Sequence, residues 1–466
     1  MKVKLIVSFL VALLNMHFAG AADSPARPNI VFILVDDLRW DGLSCTGSKV
    51  AKTPNIDRIA KEGAKFNNFF VTIPLCAPSR GCFLTGQYSH KNGILDNTDR
   101  SAQSHKLVTY QKLLHDSGYE TAHIGKWHMG NDSTPRPGYD YWVCLPGQGQ
   151  YENPMLNING TSQKVPGYIT DILNGHAVKF VKQEHKKPFS LYLAHKAVHG
   201  PFTPPERFRH LYEGESISVP PSVNDSNEDK PVLTRNVVNG NPAKAERKNK
   251  KADGKGKADG KMTGGHNAAA LQQFRCLAAI DEGVGQIFKA LEETKQLDNT
   301  IFVFTSDNGF FWGEHGLGDK RFAYEESIRD PLLIRYPKLI KAGTTLDQIA
   351  LNIDIAPTFL ELANAPVPKA VQGRSLLPLF KGDVADWRKS ALHEYFLDGN
   401  FSRTPTWQAA RNEHWKYIHY VNEKGLDELF DLKNDPYEMK NLISDPKSKE
   451  ALAEMKNELA RLLKQY

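Results

Sequence analysis

Four strand-like segments that each run into polar residues constrain this fold more than any other feature of the sequence. They cover residues 30–35, 119–124, 189–194 and 301–305, and the first of them is an unbroken apolar run. Such a run is typical of a strand buried on both faces of a parallel sheet. We therefore expect an α/β fold, with a large mixed, mostly parallel sheet flanked by helices.

The residues that follow these segments are of types that bind metal ions or transfer protons. They are Asp36 and Asp37, Lys126 and His128, His199, and Asp307 and Asn308. In open α/β sheets, ligands bind beyond the carboxyl ends of the strands, so we expect these side chains to meet in one site. Taken singly, the paired acids are also compatible with a solvated turn, and Asn308-Gly309 is a common turn signal.

A short helix is predicted to begin at Cys76. Pro78 is tolerated in a first helical turn, where its missing N–H would have no partner in any case. Cys76 would then lie at the positive end of the helix dipole, which favours an anion. The alternative is that Cys76 is a small buried hydrophobic residue. Further helices are predicted to begin near residues 53–57 and to cover residues 271–291.

The length of 466 residues favours about two domains. We place a catalytic domain at residues 22–374 and a smaller α+β domain at residues 375–466. Short alternating segments predict antiparallel strands in the second domain, followed by a closing helix, at residues 407–410, 415–420, 428–432 and 451–463.

Residues 1–21 have the pattern of a secretory signal. Lys2 and Lys4 precede an apolar run, and Ala19-Gly20-Ala21 fits a cleavage site. A retained membrane anchor is the alternative, but the apolar run is too short to span a bilayer comfortably. We expect an exported protein, periplasmic or secreted, with no stable membrane anchor.

The positive charge of the chain is concentrated in one low-complexity tract. Formal net charge is +6, and residues 244–261 hold eight basic and three acidic residues, with the sequence KADGK occurring twice. Such a composition cannot bury a core, so a flexible surface insertion is expected at about residues 240–265. A polybasic arm for anionic glycans is the alternative. Because the remaining chain is nearly neutral, the charge gives no reason to expect nucleic acid as a partner.

Five cysteines are present: Cys45, Cys76, Cys82, Cys144 and Cys276. No CxxC spacing suggests a zinc site. If Cys76 is reserved for chemistry, the other four allow three disulfide connectivities, and the sequence leaves open whether any forms.

The segment Cys76-Ala77-Pro78-Ser79-Arg80, followed by Leu84-Thr85-Gly86, resembles the signature of the type I sulfatases of the alkaline phosphatase superfamily. In that family the cysteine is oxidised to formylglycine, whose hydrate attacks the sulfur. The resemblance extends from Asn29 to about Leu442. It implies a sulfuric ester hydrolase that meets a formylglycine-generating enzyme during maturation.

The resemblance also implies roles for individual residues. The calcium ligands would be Asp36, Asp37, Asp307, Asn308 and the modified residue 76. Around the sulfate, Arg80 would hold the modified side chain, and Lys126 and Lys320 would contact the sulfate. His128 would lie beside the hydrate, and His199 would protonate the leaving oxygen. We add His315 as a candidate substrate-binding residue, because a carbohydrate site fits the polar and aromatic residues expected near the rim, which include His315 and Lys320.

The substrate is predicted from residues 141–151. This segment resembles bacterial sulfatases that act on 6-sulfated N-acetylglucosamine, so we expect a sulfated carbohydrate of that type, cleaved at the end of a chain. Trp142 and Tyr151 would stack on the sugar, or they are simply buried aromatic residues. The alternatives are another glycan or aryl sulfate, a phosphate or phosphonate ester, and a non-catalytic glycan-binding protein.

Overall fold

The computed structural model describes residues 27–235, 263–399 and 401–466. The predicted signal at residues 1–21 lies outside the described residues, and so do residues 240–262 of the Lys-rich insertion. Within the described ranges, no helix combines the length and the apolar character needed to cross a membrane.

The strands follow the chain in the order β1 (Asn29–Val35), β2 (Ala64–Phe66), β3 (Phe69–Phe70), β4 (Glu120–Lys126), β5 (Tyr141–Leu145), β6 (Met155–Ile158), β7 (Thr161–Lys164), β8 (Phe189–Ala194), β9 (Thr300–Ser306), β10 (Phe311–Trp312), β11 (Gly318–Asp319), β12 (Leu332–Arg335), β13 (Thr344–Leu346), β14 (Ala350–Leu351), β15 (Ser390–Tyr395), β16 (Trp407–Asn412), β17 (Trp415–Tyr420) and β18 (Glu428–Asp431).

The α-helices are α1 (Pro54–Glu62), α2 (Cys76–Thr85), α3 (Ser89–Asn92), α4 (Ser101–Ser104), α5 (Tyr110–Asp116), α6 (Ile169–Val181), α7 (Pro231–Thr234), α8 (Thr263–Glu293), α9 (Glu325–Ile328), α10 (Ile355–Leu362), α11 (Leu377–Phe380) and α12 (Lys449–Gln465). Short 3₁₀ turns lie at Ser44–Thr46, Glu206–Phe208, Pro221–Asn224, Leu297–Asn299, Glu314–Gly316, Asn352–Asp354 and Pro446–Ser448.

The main sheet confirms the predicted α/β class. Its strand order is β13-β2-β12-β9-β1-β8-β4-β5-β6-β7. The central strands β9, β1, β8, β4 and β5 are parallel to one another, whereas antiparallel pairs lie toward both margins. Every residue of β1, β8 and β9 is buried, which explains their apolar sequences. The polar residues that follow β1, β9, β8 and β4 therefore emerge at one edge.

Two hydrophobic cores cover the two faces of this sheet. Alternate side chains of β1 point to opposite faces. Val31 and Ile33 pack into the core that includes α6 and α8, whereas Phe32 packs into the core that includes α2, α5 and α10. The sheet is thus a layer between helices, and its edge is available for a site.

The smaller C-terminal sheet has the order β15-β16-β17-β18, with neighbouring strands antiparallel. Met455 and Leu459 of α12 belong to the core that this sheet shares with β3 and β10. The three predicted strands and the closing helix are present, but the sequence missed β15. The domain boundary near residue 375 stays a prediction. All five cysteines are free in the structure.

Helix α1 is capped from a distant part of the chain. The side chain of Thr53, at its N-cap position, makes no capping hydrogen bond. Instead, the backbone N–H groups of Asn55 and Ile56 donate to Asp281 Oδ1 of α8, at 3.0 and 2.8 Å, and Asn55 Nδ2 donates to Asp281 Oδ2 at 2.9 Å. Asp281 therefore supplies the acceptors that α1 lacks locally.

We expect Asp281→Ala to lower the free energy of unfolding by about 1–3 kcal/mol, because it leaves buried N–H groups without acceptors. Glu282→Ala is the matched control, since the ion pair of Glu282 with Arg207 is exposed and such pairs contribute about 1 kcal/mol or less. Denaturant titration of both variants measures the difference. Equal stability of the two variants would contradict the capping role.

Candidate active site

Residue Cys76 lies where the sequence places it, at the first position of α2. It is fully buried, and so is the rest of the helix. Leu75 makes no side-chain cap at this end, and the N–H of Ala77 donates to Asn97 Oδ1 at 3.0 Å. The helix ends at Gly86 in the left-handed region, at φ 67°. The positive end of α2 thus faces the site.

Three carboxylates meet at the carboxyl edge of the sheet. Asp36 and Asp37 follow β1 and Asp307 follows the adjacent parallel strand β9, and oxygens of all three lie within 4.8 Å of one another. Cys76 Sγ, an oxygen of Asp36 and a ring nitrogen of His199 form a second group within 4.8 Å. The topology predicted from the sequence is what brings these residues together.

Hydrogen bonds fix the two acidic loops against each other. The N–H of Asp37 donates to Asp307 Oδ1 at 3.2 Å, and Asn308 Nδ2 donates to Asp37 Oδ1 at 2.7 Å. Leu38 N donates to Ser306 Oγ at 2.9 Å, while Ser306 Oγ donates to the Asn308 carbonyl at 2.9 Å. The carboxylates therefore lie in a preorganised cluster.

Three cationic side chains surround the carboxylates. Arg80 donates from Nε to Asp307 Oδ2 and from Nη1 to the Lys126 carbonyl, both at 2.8 Å. Lys126 Nζ pairs with Asp36 Oδ2. Lys320 Nζ lies 2.5 Å from Asp37 Oδ1. The predicted sulfate-contacting residues are thus within reach of the predicted metal ligands.

The surrounding charges and burial shift the pKa values of two of these carboxyl groups, Asp36 and Asp307, in opposite directions. Burial alone raises the pKa of Asp36, but the charges of Lys126, His199, Arg80 and Lys320 outweigh burial and hold that pKa well below its usual value. Burial, followed by the negative charge of Asp36, raises the pKa of Asp307. Like charges at this distance disfavour each other's ionisation, and a bound cation would relieve that cost.

The oxygens present fit a hard metal ion. Asp36 Oδ1 and Asn308 Oδ1 are buried and have no hydrogen-bond partner among the described residues. Buried polar atoms are nearly always satisfied, so two orphaned oxygens beside a carboxylate cluster point to a ligand. A set of carboxylate and amide oxygens suits calcium or magnesium rather than zinc.

The two predicted active-site histidines lie at the same edge of the sheet. His199 Nε2 is 3.7 Å from Asp37 Oδ2, and its Nδ1 is 2.8 Å from the Gly200 carbonyl. His128 is buried next to the Lys126 segment, and its Nδ1 has no partner among the described residues. Burial, followed by the charge of Lys126, lowers the pKa of His128 well below its usual value.

The third predicted histidine, His315, has a different environment. Its Nδ1 lies 2.8 Å from Asp225 Oδ2, and its ring stacks on Tyr324 with centroids 4.5 Å apart. The ring is fully buried by these partners. The substrate-binding role of His315 stays a prediction, and its contacts favour a structural one.

The aromatic residues predicted for sugar stacking are in the interior. Trp142 is 1% exposed and Tyr151 is 5% exposed. Trp142 Nε1 donates to the Ser133 carbonyl at 2.8 Å, and its ring contacts His123 and Trp127. The structure therefore favours the buried-aromatic interpretation for both.

Sequence reasoning missed two polar residues next to the site. Gln273 of α8 donates to the Asp37 carbonyl at 3.2 Å and accepts from Trp312 Nε1 at 2.6 Å. Lys196 is buried in the loop after β8. Burial lowers the pKa of Lys196 to about 8. The sequence offers a signal for each of these residues. Gln273 is a polar residue within an apolar helix face, and Lys196 is a lysine within the loop that contains His199.

Comparisons with known proteins agree with this geometry. The family model described as Sulfatase matches residues 28–365, and the one described as N-sulphoglucosamine sulphohydrolase, C-terminal, matches residues 313–465. The chain is 36% identical to the N-acetylglucosamine-6-O-sulfatase of Bacteroides thetaiotaomicron, covering 98% of this chain and 91% of that protein.

Two solved structures are similar to this one. The first is of a protein in complex with its substrate D-glucosamine-2-N,6-O-disulfate. It has a TM-score of 0.84 and 35% identity, and the match covers 94% of this chain and 98% of the other. The second, the phosphonate monoester hydrolase of Agrobacterium radiobacter, has a TM-score of 0.78 at 22% identity, covering 94% and 96%. At that identity the likeness concerns the fold alone.

We expect calcium to raise the Tm of chelator-treated protein, because a ligand at 100 times its Kd stabilises the native state by about 2.7 kcal/mol. Asp307→Asn should lose most of this response. Asp298→Asn is the control, since the Asp298 side chain is 79% exposed and pairs with Arg335 away from the acidic cluster. Differential scanning calorimetry with calcium and with zinc tests the assignment, which a shift with zinc alone would refute.

Proposed function

The chain belongs to the sulfatase family and is a sulfuric ester hydrolase, and from that premise we propose that it removes 6-O-sulfate from N-acetylglucosamine-type sugars. Two relatives support this substrate: the N-acetylglucosamine-6-O-sulfatase, and the protein solved with D-glucosamine-2-N,6-O-disulfate. This chain matches 91% and 98% of their lengths. The proposed activity belongs to glycosaminoglycan degradation.

One observation carries the proposal: three cationic side chains are paired with three carboxylates beside residue 76. A sulfate ester is anionic and a poor electrophile, so its hydrolysis needs positive charge around the sulfuryl group. Lys126 and Lys320 are the donors that we assign to the sulfate oxygens. Arg80 is anchored by Asp307 and by a backbone carbonyl, and we assign it to orienting residue 76.

A calcium ion is the metal that we assign to the acidic cluster. Its ligands would be oxygens of Asp36, Asp37, Asp307 and Asn308, with residue 76 contributing another. The two orphaned oxygens described above support this set. When bound, the ion supplies a Lewis acid and a template for the sulfate group.

Residue 76 is the nucleophile position, and we assign its conversion to formylglycine to a formylglycine-generating enzyme. Burial raises the pKa of the Cys76 thiol to about 12, so the unmodified thiol is protonated at neutral pH and is a weak nucleophile. When present, the hydrated aldehyde supplies the oxygen nucleophile that the thiol cannot. The helix terminus at Cys76 adds favourable positive potential.

His199 is the general acid in this assignment. In the doubly protonated ring, Nδ1–H is donated to the Gly200 carbonyl and a second hydrogen lies on Nε2, which is on the Asp37 side of the site. Giving up the Nε2 proton leaves the ring neutral. As the bond between sulfur and the sugar oxygen breaks, that oxygen takes the proton from Nε2. Burial lowers the pKa of His199 to about 4, and the negative charge of a bound sulfate ester acts in the opposite direction. We assign the neutral ring of His128 to the position beside the hydrated residue 76.

The proposal includes export of the protein. Residues 1–21 would direct the chain to the periplasm or the medium, where polymeric glycans are met. The nearly neutral charge outside the Lys-rich tract gives no reason to expect nucleic acid as a partner.

Cys76→Ala should abolish sulfate release even when the protein is produced with the converting enzyme, because no nucleophile remains. Cys45→Ala, at a half-buried cysteine elsewhere, should keep wild-type activity. Mass spectrometry of the peptide that contains residue 76 should show the aldehyde in wild type. Full activity of Cys76→Ala would end the formylglycine assignment.

Among defined sulfated sugars, the enzyme should release sulfate fastest from 6-O-sulfated N-acetylglucosamine. The panel should include 2-O- and 4-O-sulfated sugars, an aryl sulfate, the matching sugar 6-phosphate and a sulfated oligomer, with released anion measured by ion chromatography. Preference for another sulfate would overturn the substrate but keep the sulfatase. Preference for the phosphate would favour phosphoryl chemistry on the same scaffold.

A further inference from the structure

Tyr151 lies behind the active site rather than in it. Its hydroxyl donates to the backbone carbonyl of His199 at 2.5 Å. The ring is buried and stacks on Tyr168, with centroids 5.9 Å apart and planes 19° apart. The ammonium of Lys196 lies 5.0 Å above the same ring, in a cation–π contact. Tyr151 is therefore tightly packed, and its hydroxyl donates to a backbone carbonyl of the active-site loop.

The other side of the His199 loop is fixed by the metal-ligand loop. Asp36 N donates to the Ala197 carbonyl at 3.1 Å, and Val198 N donates to the Asp36 carbonyl at 2.9 Å. These bonds hold the backbone up to Val198. His199 itself is held by its N–H, which donates to the Lys196 carbonyl at 3.1 Å, and by the Tyr151 hydroxyl.

A second tyrosine repeats the arrangement farther along the loop. Tyr168 donates from its hydroxyl to the Thr203 carbonyl at 3.0 Å. The backbones of the two tyrosine segments are paired, since Ile169 N donates to the Tyr151 carbonyl at 2.8 Å and Glu152 forms a β-bridge with Tyr168. The molecule thus offers two similar hydroxyls, of which only one acts on His199.

We propose that Tyr151 is a positioning residue for the protonation step: its hydroxyl fixes the backbone of His199 so that Nε2 is presented to the leaving sugar oxygen. This inference rests on the general-acid role of His199 given above. Without the hydroxyl, the carbonyl of His199 keeps only the longer hydrogen bond from the Phe202 N–H, at 3.4 Å, among the described residues, and the imidazole can shift relative to Asp37. A displacement of about 1 Å in such a group can cost about 100-fold in rate.

The experiment is a double-mutant cycle on 6-O-sulfated N-acetylglucosamine with modified, calcium-loaded enzyme. Tyr151→Phe keeps the ring and its stacking and removes only the donor. We expect its kcat to fall at least about tenfold with KM nearly unchanged, because the lost contact acts on a catalytic proton transfer. In a His199→Ala background, Tyr151→Phe should lower kcat no further. Tyr168→Phe, the matched control, should change kcat by the same factor in the wild-type and the His199→Ala backgrounds.

The possible outcomes distinguish a failure of the role given to Tyr151 from a failure of the proposed function. If Tyr151→Phe lowers kcat equally with and without His199, or raises KM alone, the hydroxyl does not act through His199 and the inference is wrong. If kcat of Tyr151→Phe equals that of wild type, the inference is also wrong. If wild type releases no sulfate from the sugar, or His199→Ala is fully active, the proposed function fails instead. Calorimetry of each variant shows whether an effect on kcat accompanies lost stability.

Discussion

Compensation of buried charge is the constraint on which the rest of this structure depends. Three carboxylates lie within 4.8 Å of one another in a place that solvent does not reach. An unpaired buried charge is too costly to survive in a folded protein, so each carboxylate needs a partner. Arg80, Lys126 and Lys320 provide the partners from three different segments. The same pairing holds three cationic side chains in place beside residue 76, and these are the groups that we assign to binding an anionic ester.

The sheet edge and most of the site follow from short-range sequence patterns. The apolar runs predict buried parallel strands, and the carboxyl ends of such strands meet at one edge of the sheet, which brings Asp36, Lys126 and Asp307 together. Cys76 was placed correctly because Pro78 marks the first turn of α2. These inferences need only the period of hydrophobicity and the direction of the strands.

Other features could not be predicted because their causes lie far along the chain. Strand β15 contains the buried polar residues His393 and Glu394. Their burial depends on tertiary contacts, which the composition of the segment does not predict. Tryptophan and tyrosine occur both in sugar-binding sites and in hydrophobic cores. For Trp142 and Tyr151, therefore, only the exposed fraction of the side chain distinguishes the two interpretations. The N-terminus of α1 lacks a side-chain cap of its own because Asp281, more than two hundred residues later, supplies the acceptors.

The position of β1 has a consequence for the order in which the molecule can be made. This strand is the first in the chain, yet it is sandwiched between β8 and β9, whose residues are synthesised much later. The central strand therefore has no neighbour until Ala194 has been produced and lacks its second neighbour until Ser306 has been produced. Long-range pairings of this kind are slow to form. During that interval residue 76 is not yet enclosed by the core that buries it in the finished protein. The proposed export of an unfolded chain and the proposed enzymatic conversion of Cys76 would both fall within this interval.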